Sequence, residues 1–311
     1  MTLTCGQTFQ GHDNGTPTDK KEKMVETLTT KTNGSMVDKR NDLKDLSSTE
    51  WIQETKSFFY QKGLGAGSPE AKYEKMHPAP FSFTDVTKLI RFFTKKNAKI
   101  LDPFLGVGST IKACVELERE GFGVELSPKW CEITKKRLKE ESNLKLDKEH
   151  LVCGDSRELN KYFDKNFFDF IVTSPPYWNI LEKKDHKANE RVLNGHDTKY
   201  SESKNDLGNI TDYNKFLDEL AKILLSCHAL LKPGKYICII VSDFRHKSEF
   251  YPFHSDLLNK LTDKRLKKHF RLKGIKVLIQ NAKKLFPYGY PFSYVENIHH
   301  QYILVLQKLK V

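Results

Sequence analysis

Apolar positions along this chain switch repeatedly between a helical and a strand-like spacing. Within Asp85–Phe93, Val86, Leu89, Ile90 and Phe93 recur every three or four residues, which predicts a helix with one buried face. Ala98–Leu101 (AKIL) follows as a short apolar run bounded by polar residues, the pattern of a buried strand. The alternation continues with a helix over Ser109–Glu120, a strand over Gly123–Leu126 and a helix over Pro128–Glu140, whose proline suits a first turn. Leu151–Cys153 and Phe168–Val172 (FDFIV) read as two more strands. Thr211–Leu231 reads as a helix with Phe216, Leu217, Leu220, Ile223 and Leu224 on one side, ended by Lys232-Pro233-Gly234. Tyr236–Val241 (YICIIV), Ile275–Ile279 and Tyr302–Leu306 complete a set of seven strands. Such alternation specifies an α/β domain built on a doubly wound, mostly parallel sheet with helices on both faces. Ligands of such sheets bind beyond the carboxyl ends of the strands. The loops after Leu101, Val124, Cys153 and Val172 are therefore where chemistry is expected.

Outside this frame the pattern weakens. Residues 1–48 are rich in Thr, Lys, Asp, Asn and Gly with no sustained apolar period and read as a mobile tail, leaving 49–311 as the folded domain. Trp51, Phe58, Phe59 and Tyr60 are expected to seed a short helix against that domain, and Gly63–Gly67 to form a loop. Residues 179–210 read as a long polar insertion, a type often functional.

Composition narrows the class. Of 311 residues, 38% are hydrophobic and 30% charged, as in a soluble globular protein. No stretch approaches the ~20 apolar residues of a spanning helix, and Met1–Thr30 lacks the apolar centre of a secretory leader. The six cysteines show no C-x-x-C spacing, which argues against a zinc cluster or a disulfide framework and fits a reducing cytoplasm, of a bacterial or archaeal cell. The net charge of +12 is unevenly placed: Arg245–Lys284 holds 12 Lys/Arg against 3 acids, +9 in one segment. A surplus so concentrated suits a polyanionic partner.

Two short segments carry candidate chemistry. Asp102-Pro-Phe-Leu-Gly106-Val-Gly108-Ser109-Thr110 lies between a strand and a helix, where glycines let backbone approach a ligand. Glu125 ends the next strand, ~20 residues on, where an acid can bind ribose hydroxyls. Asp155 follows the third strand, where it or its neighbours can touch an adenine ring. A third fingerprint glycine and a G-K-[ST] are both missing, so a nucleoside without phosphates fits better than NAD or ATP. The second segment is Thr173-Ser174-Pro175-Pro176-Tyr177-Trp178, directly after an apolar strand. Two prolines fix the backbone and deprive it of N–H groups, so a hydroxyl and a carbonyl can be aimed at one point beside two flat rings.

Together these segments resemble the DNA amino-methyltransferases, which use S-adenosylmethionine to methylate the exocyclic amine of adenine or cytosine. Asp102–Thr110 is similar to that family's cofactor loop, Gly123-Val-Glu125-Leu126-Ser-Pro to its ribose-binding strand end, Gly154-Asp155-Ser156 to its adenine-side turn, and Thr173–Trp178 to its catalytic motif. His77-Pro-Ala-Pro-Phe81 resembles the segment preceding the cofactor loop, and Phe286–Phe292 and His299–Val305 the C-terminal strands; the resemblance covers Trp51–Lys308. Many relatives place the catalytic half first, whereas here the cofactor half leads, so their target-recognition region cannot be carried over by position.

The resemblance implies a Rossmann-like class I methyltransferase fold. It implies cofactor contacts at Asp102, Phe104, Gly106, Gly108, Ser109, Thr110, Glu125, Leu126, Asp155 and Ser156, with S-adenosylhomocysteine as product and no metal. It implies a catalytic turn of Ser174, Pro175, Pro176, Tyr177 and Trp178, in which the Ser174 side chain and the Pro175 carbonyl accept the two amino hydrogens. Tyr177 is the candidate to stack on a swung-out base, with Trp178 backing it or lining the wall. Residues 244–290 are the expected region for contact with double-stranded DNA, with Arg245, Lys264, Arg265, Lys267, Lys268 and Arg271 on phosphates; Phe286–Phe292 either line the target pocket or simply pack. His77 reads as a packing residue. Serine before Pro-Pro-Tyr resembles the cytosine-N4 branch more than the adenine-N6 branch, within a site-specific enzyme that a restriction endonuclease can accompany. Cytosine-C5 chemistry is disfavoured, since no Pro-Cys pair exists. An RNA or protein amine methyltransferase and a non-catalytic DNA-binding module are the competing classes.

Overall fold

The structure, a computed structural model, describes residues 30–32, 35–61, 69–77, 82–179, 203, 205–266 and 269–310. In chain order its elements are β1 (Thr30–Thr32), β2 (Ser35–Val37), α1 (Ser48–Glu54), β3 (Phe58–Tyr60), α2 (Pro69–Met76), α3 (Phe83–Phe93) and β4 (Lys99–Asp102). There follow α4 (Ser109–Glu116), β5 (Glu120–Glu125), α5 (Pro128–Ser142), β6 (Leu151–Cys153), α6 (Leu159–Tyr162), β7 (Phe168–Thr173) and α7 (Tyr213–Leu230). The chain ends with β8 (Leu231–Val241), β9 (Phe244–His246), β10 (Glu249–Tyr251), α8 (Phe253–Leu261), β11 (Arg271–Ile279) and β12 (His300–Gln307).

The main sheet has the order β3-β11-β12-β8-β7-β4-β5-β6. Only β12 runs against the rest: it pairs antiparallel with β8 and β11, while the remaining pairs are parallel. The chain winds outward from β4 through β5 and β6, then returns to the other side of β4 as β7. That reversal is the topological switch point, where an open α/β sheet forms its crevice. Alternation along the strands fills two cores. Ile237, Ile239 and Val241 join the core under α7, whereas Cys238 and Ile240 join Val86, Leu89 and Ile90 of α3 on the opposite face. Among the described residues, no helix is long and apolar enough to cross a membrane.

Four expectations change. The sheet has eight strands, not seven, because Phe58–Tyr60 pairs in parallel with Val277–Ile279 instead of extending a helix. The helix after the cofactor loop stops at Glu116, since Glu118 takes φ +59 and turns the chain into a strand that starts at Glu120. Lys232-Pro233-Gly234 belongs to β8 rather than to a separate stop. Leu231 pairs with Phe168, and a register shift there, with Gly234 at φ +78, absorbs the turn residues. Finally, the end of the supposed tail is seated. Ser47 and Glu50 form a reciprocal cap on α1, Leu46 is buried, and Lys44 lies 4.6 and 4.4 Å from the Trp51 and Phe92 rings. Residues 1–29, the Gly63–Gly67 loop, Pro78–Phe81 and most of the 179–210 insertion lie outside the described residues.

Candidate active site

β4 ends at Asp102, and the next turn is shaped by Gly106 (φ +57) and Gly108 (φ +81). A Cβ on Gly108 would stand 2.7 Å from Thr134 Cγ2 of α5, so the close approach of helix and loop admits only glycine. Thr134 Oγ1 completes that approach by donating to the Gly106 carbonyl (2.9 Å). Asp102 is fully buried and receives three donors: Thr110 Oγ1 (2.6 Å), Thr173 Oγ1 (2.6 Å) and the Phe104 amide (3.0 Å). Burial pushes its carboxyl up to about 6 against those donors. Because Thr173 immediately precedes Ser174, this one carboxyl group ties the glycine loop to the Ser-Pro-Pro turn. Ser156 adds a second tie, its hydroxyl donating to the Pro103 carbonyl.

Glu125, at the end of β5, accepts from the Gly106 amide (2.9 Å) and the Ser127 amide (2.8 Å). Burial raises it to about 7, with the two amide donors opposing and the nearby Asp102 and Asp206 charges adding. It faces a cleft of about 680 Å³, open on one side, that lies over the switch point. Phe104, Gly106, Leu126, Asp155 and Ser156 line one flank; Ser174, Pro175 and Pro176 line the other. The two candidate segments, far apart in sequence, thus share a single cleft.

Some cleft residues were not singled out in the sequence, and one, His77, reads there only as packing. Trp130 of α5 and His77 line it, their rings edge-on at 4.9 Å, so His77 is a wall of the site as well as a packing residue. Arg157 is held by the Asp155 carboxylate (3.0 Å) and the Asn205 carbonyl (2.8 Å), which brings Asn205, Asp206 and Leu207 up as a further wall. Below the glycine loop lies a buried charge network. Arg137, fully buried, donates to the Val107 carbonyl (3.1 Å), Ser109 Oγ (3.1 Å), Glu74 (3.2 Å) and Glu141 (3.1 Å), and Lys112 also reaches Glu141 (2.8 Å). The sequence signal was present but ambiguous: Trp130, Thr134, Arg137 and Glu141 lie on one helical face, and a lone arginine there reads as solvated.

Not every expected residue reaches the cleft. Gly108, Ser109 and Thr110 are buried and, with Asp102, support the loop from beneath. Tyr177 is 7% exposed, packs edge-on against Phe253 (6.0 Å), and its hydroxyl receives Gln301 Nε2 (3.1 Å) with the Ser174 hydroxyl and Ser242 amide also in reach. Burial pushes that phenol up to about 12. Trp178 is buried too. Its Nε1 donates to the Ile210 carbonyl (2.8 Å), and its ring sits among Tyr213, Phe244, His246 and Tyr251. Both rings are packed into the core under α7, which leaves little surface for stacking on a base.

The basic run divides. Arg245 lies in the β9–β10 hairpin just past the carboxyl end of β8, its guanidinium 5.2 Å from the Phe250 ring. Arg271, however, pairs with Gln307, which pairs with Tyr236, which pairs with Phe170 near the start of β7. Eight residue steps separate Arg271 from the cleft-side end of β11, roughly 26 Å at ~3.3 Å per residue. Lys264 and Arg265, in the turn after α8, are exposed at that same far end, and Arg265 pairs with its neighbour Asp263 (2.8 Å). The reversed course of β12 sends this cluster away from Ser174. Lys267 and Lys268 lie outside the described residues.

The architecture is that of a class I methyltransferase: a doubly wound sheet with a glycine loop, an acidic strand end and a polar Pro-Pro turn around one crevice. The family model described as DNA methylase matches residues 11–136 and 168–311, and the chain belongs to this N6/N4 amino-methyltransferase family. It is 33% identical over 137 residues to the type II methyltransferase M.HpaI of Haemophilus parainfluenzae, covering 42% of this chain and 36% of that one. It is 32% identical over 98 residues to the type II methyltransferase M.MjaII of Methanocaldococcus jannaschii, covering 30% and 18%. The chain therefore spans well under two thirds of these relatives' length. Among solved structures it is similar to TTHA0409 of Thermus thermophilus complexed with S-adenosyl-L-methionine, at 25% identity and a TM-score of 0.35 over 51% of this chain and 54% of that one.

Proposed function

We propose that this protein is a site-specific DNA methyltransferase that methylates the N4 amine of a cytosine swung out of duplex DNA, using S-adenosylmethionine. The observation that carries the reading is the shared cleft, with Glu125 and the glycine loop on one flank and Ser174-Pro175-Pro176 on the other.

The residues present fit that cofactor. Gly106 keeps the loop backbone open at the cleft, Glu125 offers a carboxylate to ribose hydroxyls, Trp130, Leu126, Asp155 and Ser156 form a wall for a flat ring, and Arg157, which also lines the cleft, is already engaged by Asp155. When bound, S-adenosylmethionine supplies an electrophilic sulfonium methyl. The chain's own work is orientation. An aromatic amine is a weak nucleophile while its lone pair is delocalised into the ring. The Ser174 hydroxyl lies in hydrogen-bond reach of the Tyr177 oxygen and lines the cleft, where it offers lone pairs as an acceptor, and the Pro175 carbonyl is a second acceptor with no competing N–H on Pro176. Two acceptors on the two amino hydrogens draw the nitrogen toward a pyramidal shape and align its lone pair, a positioning effect.

Serine at the head of the Pro-Pro-Tyr turn favours cytosine N4; adenine N6 is the second reading, because the same two acceptors serve either amine. Duplex DNA treated with the protein and cofactor, digested to nucleosides and weighed, tests the choice. N4-methylcytosine is the expected product, N6-methyladenine would replace it with the second reading, and no methylated base would remove both. A paired restriction endonuclease belongs to the same proposal, and would be encoded as a nuclease cleaving the unmethylated site.

A further inference from the structure

Between β11 and β12 the chain forms a loop, residues 280–299, at the cleft end of the sheet. It is braced internally. The Gln280 amide donates to the His299 carbonyl across the neck (2.7 Å). Asn297 clasps Phe286, its Oδ1 accepting the amide (3.0 Å) and its Nδ2 donating to the carbonyl (2.8 Å). Gly289 turns the tip with φ +76, and its carbonyl accepts from both Phe292 and Ser293 (2.7 Å each). What this ordered loop offers to solvent is nonetheless apolar: Leu285, Tyr290, Phe292 and Tyr294 are 76%, 81%, 94% and 85% exposed. Within Phe286–Phe292, the exposure of Tyr290 and Phe292 argues against simple packing. Single exposed apolar residues need no explanation, but a cluster on a braced loop marks a contact surface.

Three observations indicate the partner. The loop's neck leads straight into the candidate catalytic turn: His300 pairs with Ile279, and the next residue, Gln301, donates to the Tyr177 hydroxyl. Its most exposed side chains are mainly aromatic rings, which stack on any base regardless of sequence. Its charge is basic, Lys283 and Lys284 against the single acid Glu296. We infer that loop 280–299 is a base-stacking contact for duplex DNA, its rings entering beside the position vacated by the extruded base and Lys284 meeting a phosphate. This inference rests on the DNA methyltransferase reading and gives the loop a stacking role in the duplex, distinct from the contact with the swung-out base expected of Tyr177.

The test uses the full chain, with the double variant Tyr290→Ser/Phe292→Ser and, separately, Lys284→Ala. Binding is read by fluorescence anisotropy on a labelled mixed-sequence duplex across a salt series, transfer by labelled methyl incorporation, cofactor affinity by calorimetry and assembly by sedimentation. The double variant is expected to bind duplex at least about fivefold more weakly, since one lost base stack corresponds to ~5–150-fold in affinity, with cofactor affinity and sedimentation unchanged. Lys284→Ala should lower the salt slope by about one. Duplex binding equal to wild type in the double variant would overturn the inference. So would retained duplex binding with a shift from dimer to monomer, which would make a second copy of the chain the occupant of the loop. If wild type binds duplex but transfers no methyl group, the functional reading fails while the binding comparison still decides the loop.

Discussion

Replacing Tyr177 by phenylalanine removes one oxygen and almost nothing else. The ring stays 7% exposed against Phe253, so packing is conserved, but Gln301 Nε2 loses its acceptor and the Ser174 hydroxyl its anchor. Gln301 is half-buried, so water can take over part of the lost bond and the stability cost should stay at ~1 kcal/mol. For the reaction, letting the Ser174 side chain sample three staggered wells costs ~0.7 kcal/mol, and the lost hydrogen bond ~1 kcal/mol. A barrier raised by ~1–2 kcal/mol slows transfer ~5–30-fold. Single-turnover incorporation of labelled methyl into duplex DNA, with calorimetric cofactor affinity alongside, measures this. The expected outcome is a slower chemical step with cofactor and DNA affinities close to wild type; Gln301→Leu should reproduce part of it from outside the motif. If Tyr177→Phe transfers at the wild-type rate while Tyr177→Leu does not, the ring matters rather than the hydroxyl, and the orientation argument is refuted.

Ser174→Ala should nearly abolish transfer while leaving cofactor affinity intact; unchanged turnover would remove Ser174 from its role. Arg137→Met removes the buried cation that Glu74 and Glu141 share, leaving Glu141 to Lys112 and Glu74 with no ion pair from α5, and should cost ~3 kcal/mol in urea unfolding, a loss below ~1 kcal/mol contradicting the support assigned to it. Gly108→Ala forces φ +81 on an L-residue and a 2.7 Å contact with Thr134, and should lower both stability, by ~1–2 kcal/mol for the backbone alone, and cofactor affinity. Glu125 has a sign that differs between folding and binding. Its raised pKa, about 7, means the fold gains from the protonated form, a contribution present at acid pH and lost as pH rises from the ordinary carboxylate range through about 7. Ribose hydroxyls instead require the ionised carboxylate, so cofactor affinity should fall as pH drops below about 7, approaching ~tenfold one unit lower. Calorimetry across that range checks it, and a Glu125→Gln variant should flatten the profile.

The residues of this chain by themselves determined the local elements and the chemical vocabulary. Helix and strand periods are short-range, so Asp85–Phe93, Phe168–Val172 and Tyr236–Val241 were legible, as were the Gly106-x-Gly108 turn and the Ser-Pro-Pro motif. Which elements become neighbours was decided only in three dimensions, because pairing between distant strands leaves no local mark. Asp102 meets Thr173 because β7 returns to β4 at the switch point. Phe58–Tyr60 is a strand because β11 presents an edge to it, whatever its own periodicity suggests. Arg137 is internal because four polar partners compensate its burial, a balance invisible in a helical wheel. The single reversed strand β12 set the direction of β11 and so carried the charge cluster around Arg271 to the end of the sheet remote from Ser174, while leaving loop 280–299 beside the cleft. Charge along a sequence gives how much surplus there is; strand direction decides which face of the molecule carries it.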